Sequence, residues 1–468
     1  MAGNSDPLLA FYGDDFTGST DALEFMSRVG AQSILFMEPP TPDQLAEYEQ
    51  LDAIGVAGRS RAMTPEEMEQ ELPRALKAMK ELKARHIHYK VCSTFDSSPT
   101  IGSIGKVIDI AADIFDSSFI PLLVAAPALG RYCTFGNLFA RMGIGSDGDI
   151  FRLDRHPSMK DHPITPADES DLRLHLGRQT AKEVGLLNLL EVAKEGEETR
   201  RILEETVREG ADVVLFDALE EKHMTRIGSL IDEYGSPNDP LFSVGSSGIE
   251  MVLGNHWIKE ERLRPRETWD SPGKAAPMLV VSGSRSPVTS KQIEWALVNG
   301  FEEVSLDTEA LAKKGNIPSI HHQHVAEVVE LLRKGENVIV HTSFGADDSR
   351  INATKAVFDQ QGLSNYEIRT RTAQLFGTAL GKIVGEASEQ FDLQRVVFAG
   401  GDTSSFAAHA LDIEALKMIA PIVPGAPLCK ISASKESLDG LEVNIKGGQV
   451  GPKEYFGMVL EGKSHHNF

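Results

Sequence analysis

The sequence predicts an α/β protein of two domains, each a mainly parallel sheet flanked by helices. Three observations predict it: short apolar runs recur between longer amphipathic segments, polar motifs follow those runs directly, and charged, proline-containing sequence separates the two halves. The length of 468 residues agrees, because a single hydrophobic core stops growing well below it.

The runs are Leu8–Tyr12, Ala53–Ala57, Leu122–Ala126, Val213–Phe216, Met278–Val281, Val338–Val340 and Val396–Ala399. Each ends in small or polar residues, as buried parallel strands do. After the first, Ala22, Phe25, Met26 and Val29 fall at i, i+3, i+4 and i+7, which predicts a helix with one buried stripe. Thr289–Leu297 predicts another helix. Between His256 and Pro277 the apolar period is lost and Pro265, Pro272 and Pro277 appear, so the expected division is 1–255, a linker at 256–277, and 278–468. A second irregular stretch, Arg152–Pro166, predicts a loop over the cleft between the halves.

Composition narrows the function. Lys and Arg total 47 against 69 Asp and Glu, a formal charge of −22, so the molecule as a whole repels phosphate backbones and acidic lipid surfaces. Neither nucleic acid nor membrane is an expected partner, and an anionic ligand needs a local cluster of cations or backbone N–H groups. Cys92, Cys133 and Cys429 are scattered, as suits a reducing cytosol. The N-terminus lacks the basic and apolar regions of a signal peptide, and no stretch approaches the ~18 apolar residues of a membrane span. A cytoplasmic protein is expected, with its oligomeric state, a homo-oligomer included, left open.

In open α/β sheets ligands bind beyond the carboxyl ends of the strands. There, after the first run, stands Gly13-Asp14-Asp15-Phe16-Thr17-Gly18. Adjacent carboxylates at that place suit binding of hydroxyls, holding of a cation, or deprotonation of an attacking hydroxyl. Equally, Asp14 ends a turn and Asp15 or Thr17 caps the helix; the residues alone leave both open. Ser60-Arg61 and Lys90-Val91-Cys92-Ser93-Thr94 place cations and hydroxyls past later strands, as does Ala126-Pro127-Ala128-Leu129-Gly130-Arg131 with Thr134 and Gly136. Any one cation alone reads as surface charge; three such loops point to recognition of a carboxylate and its neighbouring hydroxyls.

In the second half, Ser282-Gly283-Ser284-Arg285-Ser286-Pro287 and Ala399-Gly400-Gly401-Asp402-Thr403-Ser404-Ser405 each follow a strand and lead towards a helix, an arrangement that lets backbone N–H groups approach an anion. Two phosphate-sized loops suggest a nucleotide. Pro424-Gly425 and Lys446-Gly447-Gly448 supply turns without bulky side chains, which border a nucleotide only if the other loops lie close by. Three further signals fail on context. Gly143–Gly148 matches a dinucleotide string but precedes no helix, Gly105-Lys106 lacks the rest of a P-loop, and His321, His322 and His324 read as a solvated helix start.

The ordered set of motifs resembles the four-carbon acid sugar kinase family over nearly the whole chain. The elements are Asp14-Asp15-x-Thr17-Gly18, Ser60-Arg61, Pro127-Ala128-x-Gly130-Arg131, Thr165-Pro166, Glu169–Leu172, Ser282–Ser286 with Thr289 and Gln292, Gly400–Ser404, Pro424-Gly425 and Lys446–Gly448. The resemblance implies a first domain that binds an acid sugar, a second that binds ATP, and transfer to a terminal hydroxyl in the cleft between them, with Mg²⁺ as cofactor. It gives Asp15 the role of accepting or orienting the hydroxyl's proton and Asp14 that of binding a neighbouring hydroxyl, or the reverse. Arg61, Lys90 and Arg131 would hold the carboxylate, with Thr17, Gly18, Ser60 and Ser93 beside them. Ser282, Gly283, Ser284, Arg285, Ser286, Gly400, Gly401, Thr403, Pro424, Gly425, Gly447 and Gly448 would surround the nucleotide, with Asp402 on the metal. One departure stands out: many members read Lys-x-Asp-Ser-Thr-Leu-Arg-Gly where this chain reads Lys90-Val91-Cys92-Ser93-Thr94-Phe95-Asp96-Ser97. That change alters the charge of the pocket and gives a 3-oxo acid, or a branched, apionate-derived one, equal weight with a four-carbon aldonate such as threonate or erythronate. A non-catalytic sensor of acid sugars, or a lyase or isomerase of a phosphorylated one, are the competing classes.

Overall fold

Two parallel sheets, each with its own core, organise the chain. A computed structural model describes residues 6–142, 148–162, 165–313, 317–345 and 347–464, with the backbone alone at 317–320, 366 and 402. It divides into two compact units, Met1–Glu267 and Thr268–Phe468.

The first unit contains strands β1 (Leu9–Gly13), β2 (Ser33–Phe36), β3 (Ala53–Ala57), β4 (His86–Lys90), β5 (Ile120–Leu123), β6 (Arg131–Thr134), β7 (Asn137–Arg141), β8 (Ile150–Arg152), β9 (Val184–Leu187), β10 (Val213–Phe216) and β11 (Leu241–Gly245). Its main sheet has the order β2-β3-β1-β4-β11-β5-β10-β9. The described pairings are all parallel, with Gly13 level with both Ala57 and Lys90. The chain leaves β1, fills β2 and β3 on one side, then crosses to β4 on the other. That reversal opens a crevice at the carboxyl end of β1, where the loops after β1, β3 and β4 converge. Strands β6, β7 and β8 form a small antiparallel sheet.

In the second unit β12 (Leu279–Ser282), β13 (Phe301–Ser305), β14 (Asn337–His341), β15 (Arg395–Ala399), β16 (Ala415–Val423), β17 (Ala426–Ser432) and β18 (Glu442–Lys446) pair in the order β13-β14-β12-β15-β18-β17-β16. The first five are parallel; β17 runs antiparallel to both neighbours. The order reverses again between β14 and β15, on either side of β12, so the second crevice lies beyond Ser282. The core beneath it is built from Val280, Ile293, Ile339, Val397, Ile422, Tyr455 and Phe456.

Most expected strands form within a residue or two of the apolar runs, and departures have physical causes. In the helix Phe16–Arg28 the buried face is Ser19, Thr20, Ala22, Leu23, Met26 and Ser27, whereas Phe25 and Val29 are only half-buried. Small hydroxyl residues let the helix sit close to the sheet, so the buried face is broader than its apolar residues. The linker does not begin at 256: the helix Gly248–Lys259 runs through His256 and fully buried Trp257. Its end is held by polar contacts instead of an apolar stripe. Asp232 accepts hydrogen bonds from Trp257 Nε1 at 2.8 Å, His86 Nε2 at 3.0 Å and Arg85 Nε at 3.0 Å. Further on, fully buried Arg395 donates to the carbonyls of Gly273 and Val459 and pairs with Glu442, tying the 272–275 segment to the second unit.

The 152–166 stretch opens as the end of β8 and a 3-10 turn, Leu153–Arg155, with Leu153 and Met159 buried. His321 and His324 are buried, not solvated, and His321 Nε2 lies 2.8 Å from Glu386 Oε1; only His322 is exposed. The Gly143–Gly148 string falls, apart from Gly148, outside the described residues. Among the described residues no helix is long and apolar enough to cross a membrane.

Asp232→Ala leaves buried donors on His86, Trp257 and Arg85 without their acceptor. The expected result is a loss of about 3–5 kcal/mol from the first unit in urea titration followed by tryptophan fluorescence, and an unchanged midpoint would refute the structural role.

Candidate active site

The first crevice is a knot of desolvated charge. Its loops are tied together at the backbone: Asp14 N–H donates to Lys90 O, Gly58 N–H to Gly13 O and Arg61 N–H to Asp14 O, at 2.9, 2.9 and 3.0 Å. This brings Arg61 onto both aspartates. Its Nη2 and Nε donate to Asp14 at 2.7 and 3.2 Å, and Nη1 donates to Asp15 Oδ2 at 2.8 Å.

The two aspartates differ in what else they do. Asp15 is the N-cap of the helix Phe16–Arg28. Its Oδ1 accepts from Gly18 N–H at 2.7 Å, and its Oδ2 accepts from the Thr17 hydroxyl at 2.8 Å. Burial works against its charge, but Arg61, Thr17 and Gly18 outweigh it and hold the carboxyl below its ordinary range. Asp14 is almost fully buried, and among the described residues only Arg61 bonds to its side chain. Burial pushes it up to about 6 against the pull of Arg61, with the charge of Asp15 adding to the rise.

Lys90 ends β4 and is 2% exposed. Its Nζ donates to Val91 O at 3.1 Å, lies 3.7 Å from Asp21, and sits behind Gly18, where an added Cβ would come within 3.4 Å of it. Burial opposes its charge, yet Asp21, Glu250 and Asp14 keep it protonated. Thus Lys90 balances the carboxylates from beneath rather than reaching outwards. Ser60 is fully buried and bonded to Tyr89 Oη at 2.7 Å, so it too points inwards. Arg131 meets Ser93, its Nε donating to Ser93 Oγ at 3.2 Å, while Nη1 serves the carbonyls of Leu129 and Arg141. Cys92 lies in the same neighbourhood, half-buried with Sγ 2.9 Å from Thr94 Oγ1, and burial pushes its thiol up to about 11. Asp96 carries a buried oxygen with no hydrogen-bond partner.

Several members of this constellation escaped the sequence reading. Glu250 is fully buried, burial pushes it up to about 8, and neither oxygen has a hydrogen-bond partner. It lies 3.7 Å from His88, itself held down to about 3 chiefly by burial. The Ser247 hydroxyl donates to Asp21. The available signals were a carboxylate inside the apolar run Gly248–Leu253 and two serines directly after a strand.

In the second crevice the backbone dominates. Gly283 N–H donates to Ala399 O and Gly400 N–H to Lys446 O, both at 3.0 Å, so the loops after β12, β15 and β18 form one cluster. Only glycine fits where they meet. A Cβ on Gly283 would stand 2.5 Å from Thr403 Oγ1, one on Gly400 2.4 Å from the same atom at φ 143°, and one on Gly448 2.8 Å from Ser284 Oγ. Ser282 and Ser284 are buried and spend their hydroxyls on the loop: Ser282 Oγ accepts from Ser284 N–H, and Ser284 Oγ from Ser286 N–H. Ser286 caps the helix Pro287–Leu297, and Arg285 beside it is exposed. Gly401 starts the helix Asp402–Ala410 without any side-chain cap, leaving first-turn N–H groups to an anion. Pro424 and Gly425 are the two-residue tip of the β16–β17 hairpin. Because Leu428 pairs with Asn444 in the antiparallel β17–β18 register, that tip lies at the same sheet end as Lys446. Lys446 itself is fully buried.

The comparisons with known proteins match this division. The family model described as a sugar-binding N-terminal domain matches residues 9–253, and that described as a nucleotide-binding C-terminal domain matches 279–456. A 3-oxo-isoapionate kinase of Paraburkholderia graminis is 40% identical over 97% of this chain and 94% of its own. A 3-oxo-tetronate kinase of Pseudomonas savastanoi pv. phaseolicola is 27% identical over 98% of both chains. Among solved structures, a Haemophilus influenzae protein of the DUF1537 family shares the fold with a TM-score of 0.67 at 22% identity, covering 96% of this chain and 98% of its own. With both models matched in order and relatives alike from end to end, the chain belongs to the four-carbon acid sugar kinase family.

Proposed function

We propose that this ATP-dependent acid sugar kinase phosphorylates the terminal hydroxyl of a short, branched 3-oxo acid of the 3-oxo-isoapionate class. The observation that carries this reading is the unequal aspartate pair at the first crevice, where Arg61 bridges Asp14 and Asp15 at 2.7 and 2.8 Å. Phosphoryl transfer needs alignment of a hydroxyl with the γ-phosphate and neutralisation of charge, with a carboxylate to receive the hydroxyl's proton.

Asp14 fits the proton-accepting role better than Asp15. Asp15 already accepts three hydrogen bonds, two that fix the helix start and one from Arg61, and a carboxylate so engaged is a weak base. Asp14 sits near the pKa at which a general base is both ionised and basic at neutral pH. Arg61 holds it in place, and Arg131 with Ser93 offers donors to the sugar acid. Lys90 supplies charge balance from below.

In the second crevice the Gly283, Gly400 and Gly448 turns bring backbone N–H groups within reach of phosphates. A bound Mg²⁺ would offset the charge of the phosphates. Phosphate oxygens and water would supply most ligands of such a cation, with a carboxylate beside them. Asp402, the first residue of the helix after Gly400-Gly401, is the residue proposed for that contact.

The substrate class rests on the 40% identity to the Paraburkholderia graminis enzyme and on the chemistry of the altered loop. A neutral thiol stands at Cys92 and a carboxylate at Asp96, where many family members carry a carboxylate and an arginine. Those exchanges remove a cation that would grip a straight-chain acid and offer Asp96 as an acceptor for an additional hydroxyl.

A coupled ADP-release assay over threonate, erythronate, 3-oxo-tetronate and 3-oxo-isoapionate is expected to show the highest kcat/KM with the last. A thermal shift without ADP would identify a sensor instead, and conversion of a phosphorylated acid without ATP a lyase or isomerase. Asp14→Asn is expected to lower kcat by roughly 10² to 10⁴ and to abolish the acid limb of the pH profile. In the unsubstituted enzyme activity rises with pH through about 6, because the base works only when deprotonated. Asp15→Asn keeps that limb and lowers thermal stability; the opposite pattern would restore Asp15 as the base. The double substitution Cys92→Asp with Asp96→Arg is expected to shift the ratio of kcat/KM towards 3-oxo-tetronate by about tenfold, equivalent to ~1.4 kcal/mol, and an unmoved ratio would remove this loop from specificity.

A further inference from the structure

Among the described residues of the second crevice, Lys446 is a charged residue whose surroundings do not explain its burial. It closes β18 and is fully buried. Its Nζ donates to Thr289 Oγ1 at 3.1 Å and stands 5.6 Å from the centre of the Tyr455 ring. The Thr289 hydroxyl in turn donates to Gly448 O at 2.9 Å, and the backbone carbonyl of Lys446 accepts Gly400 N–H at 3.0 Å. Lys446 therefore touches the start of the helix Pro287–Leu297, the Gly447-Gly448 turn and the Gly400 loop at once.

Among the described residues no carboxylate pairs with it. The groups that face it are the Thr289 hydroxyl and Tyr455, whose own hydroxyl donates to Asn444 Oδ1 at 2.7 Å. Burial alone holds its ammonium down to about 7. A cation buried without a counter-charge is strongly disfavoured, and proteins retain one chiefly where a ligand completes the pair. The ligand in question adjoins three glycine turns whose N–H groups suit an anion.

We propose that Lys446 is the positioning cation of the nucleotide site, its charge completed by the phosphates of the bound nucleotide rather than by a protein carboxylate. The proposal rests on the nucleotide-binding reading of the second unit. Lys446 is mostly neutral in the free protein above pH 7, takes up a proton as the polyphosphate binds, and fastens the Gly448 turn to Thr289 in the charged state. No bond other than N–H forms; the proton comes from solvent.

Titration calorimetry with ADP, and with a non-hydrolysable ATP analogue, tests this at pH 8.5 in two buffers of different ionisation enthalpy. At that pH the phosphates, whose last ionisation lies at about 6, stay deprotonated throughout. The unsubstituted protein is expected to take up on the order of one proton per nucleotide bound, and its affinity to weaken as pH rises from 7 to 9. Lys446→Met should bind at least about tenfold more weakly with no proton uptake, while its melting temperature without nucleotide stays level or rises, because a stranded cation is gone. Lys446→Arg, always charged, should bind without proton uptake and restore part of the affinity. That variant and the unsubstituted protein keep the test decisive if the methionine variant fails to fold. Normal binding without proton uptake, or uptake that persists in Lys446→Met, would overturn the proposal alone. Failure of the unsubstituted protein to bind nucleotide at all would overturn the nucleotide reading together with it.

Discussion

The first crevice depends on Arg61 spanning two adjacent buried carboxylates. Without a shared cation Asp14 and Asp15 would repel each other where water screens poorly, and one would have to take up a proton. With Arg61 in place the pair is split: Asp15 is committed to the helix start by Gly18 and Thr17, and Asp14 is left desolvated with a single partner. Sequence neighbours thereby acquire different chemistry. The strand order makes this possible, because β1 lies between β3 and β4 and so faces Arg61 on one side and Lys90 on the other.

The second crevice solves a related problem by the opposite means. Its loops present few charged side chains; they meet through glycines, and their serines serve neighbouring N–H groups. A molecule of net charge −22 needs local positive potential to hold a polyphosphate. Backbone N–H groups at two helix starts supply part of it without crowding, and the exposed Arg285 and buried Lys446 are the cations nearest in sequence to those turns. The first crevice organises charge, whereas the second organises backbone.

Much of this was legible in the sequence. The apolar runs marked the parallel strands because strands buried on both faces have no polar alternation to disguise them, and the motifs after them marked both crevices. What stayed hidden was direction. Ser60 and Lys90 stand in the right loops, yet both side chains turn inwards, to Tyr89 and to Asp21. Glu250 gave almost no signal, since a carboxylate in an apolar helix resembles a helix end. The last turn of the helix Gly248–Lys259 gives no signal for a like reason: Trp257 and His256 are anchored by Asp232, and a polar anchor leaves no period to read.

The altered loop after β4 extends the same electrostatic logic to specificity. Replacing a carboxylate by Cys92 and an arginine by Asp96 takes the pair from one charge of each sign to a single negative charge, and moves that charge to position 96. The thiol stays neutral because burial pushes its pKa up to about 11, so Cys92 contributes volume and a weak donor rather than charge. Asp96 keeps one oxygen buried and without a hydrogen-bond partner, an arrangement that is unfavourable unless a ligand hydroxyl satisfies it. A hydroxymethyl branch gives a 3-oxo acid one hydroxyl more than its unbranched four-carbon counterpart. On the proposed reading the loop suits a substrate that brings an extra donor, and its charge is felt at Arg61, which is held up against burial by Asp14 and Asp15 and, to a lesser degree, by Asp96.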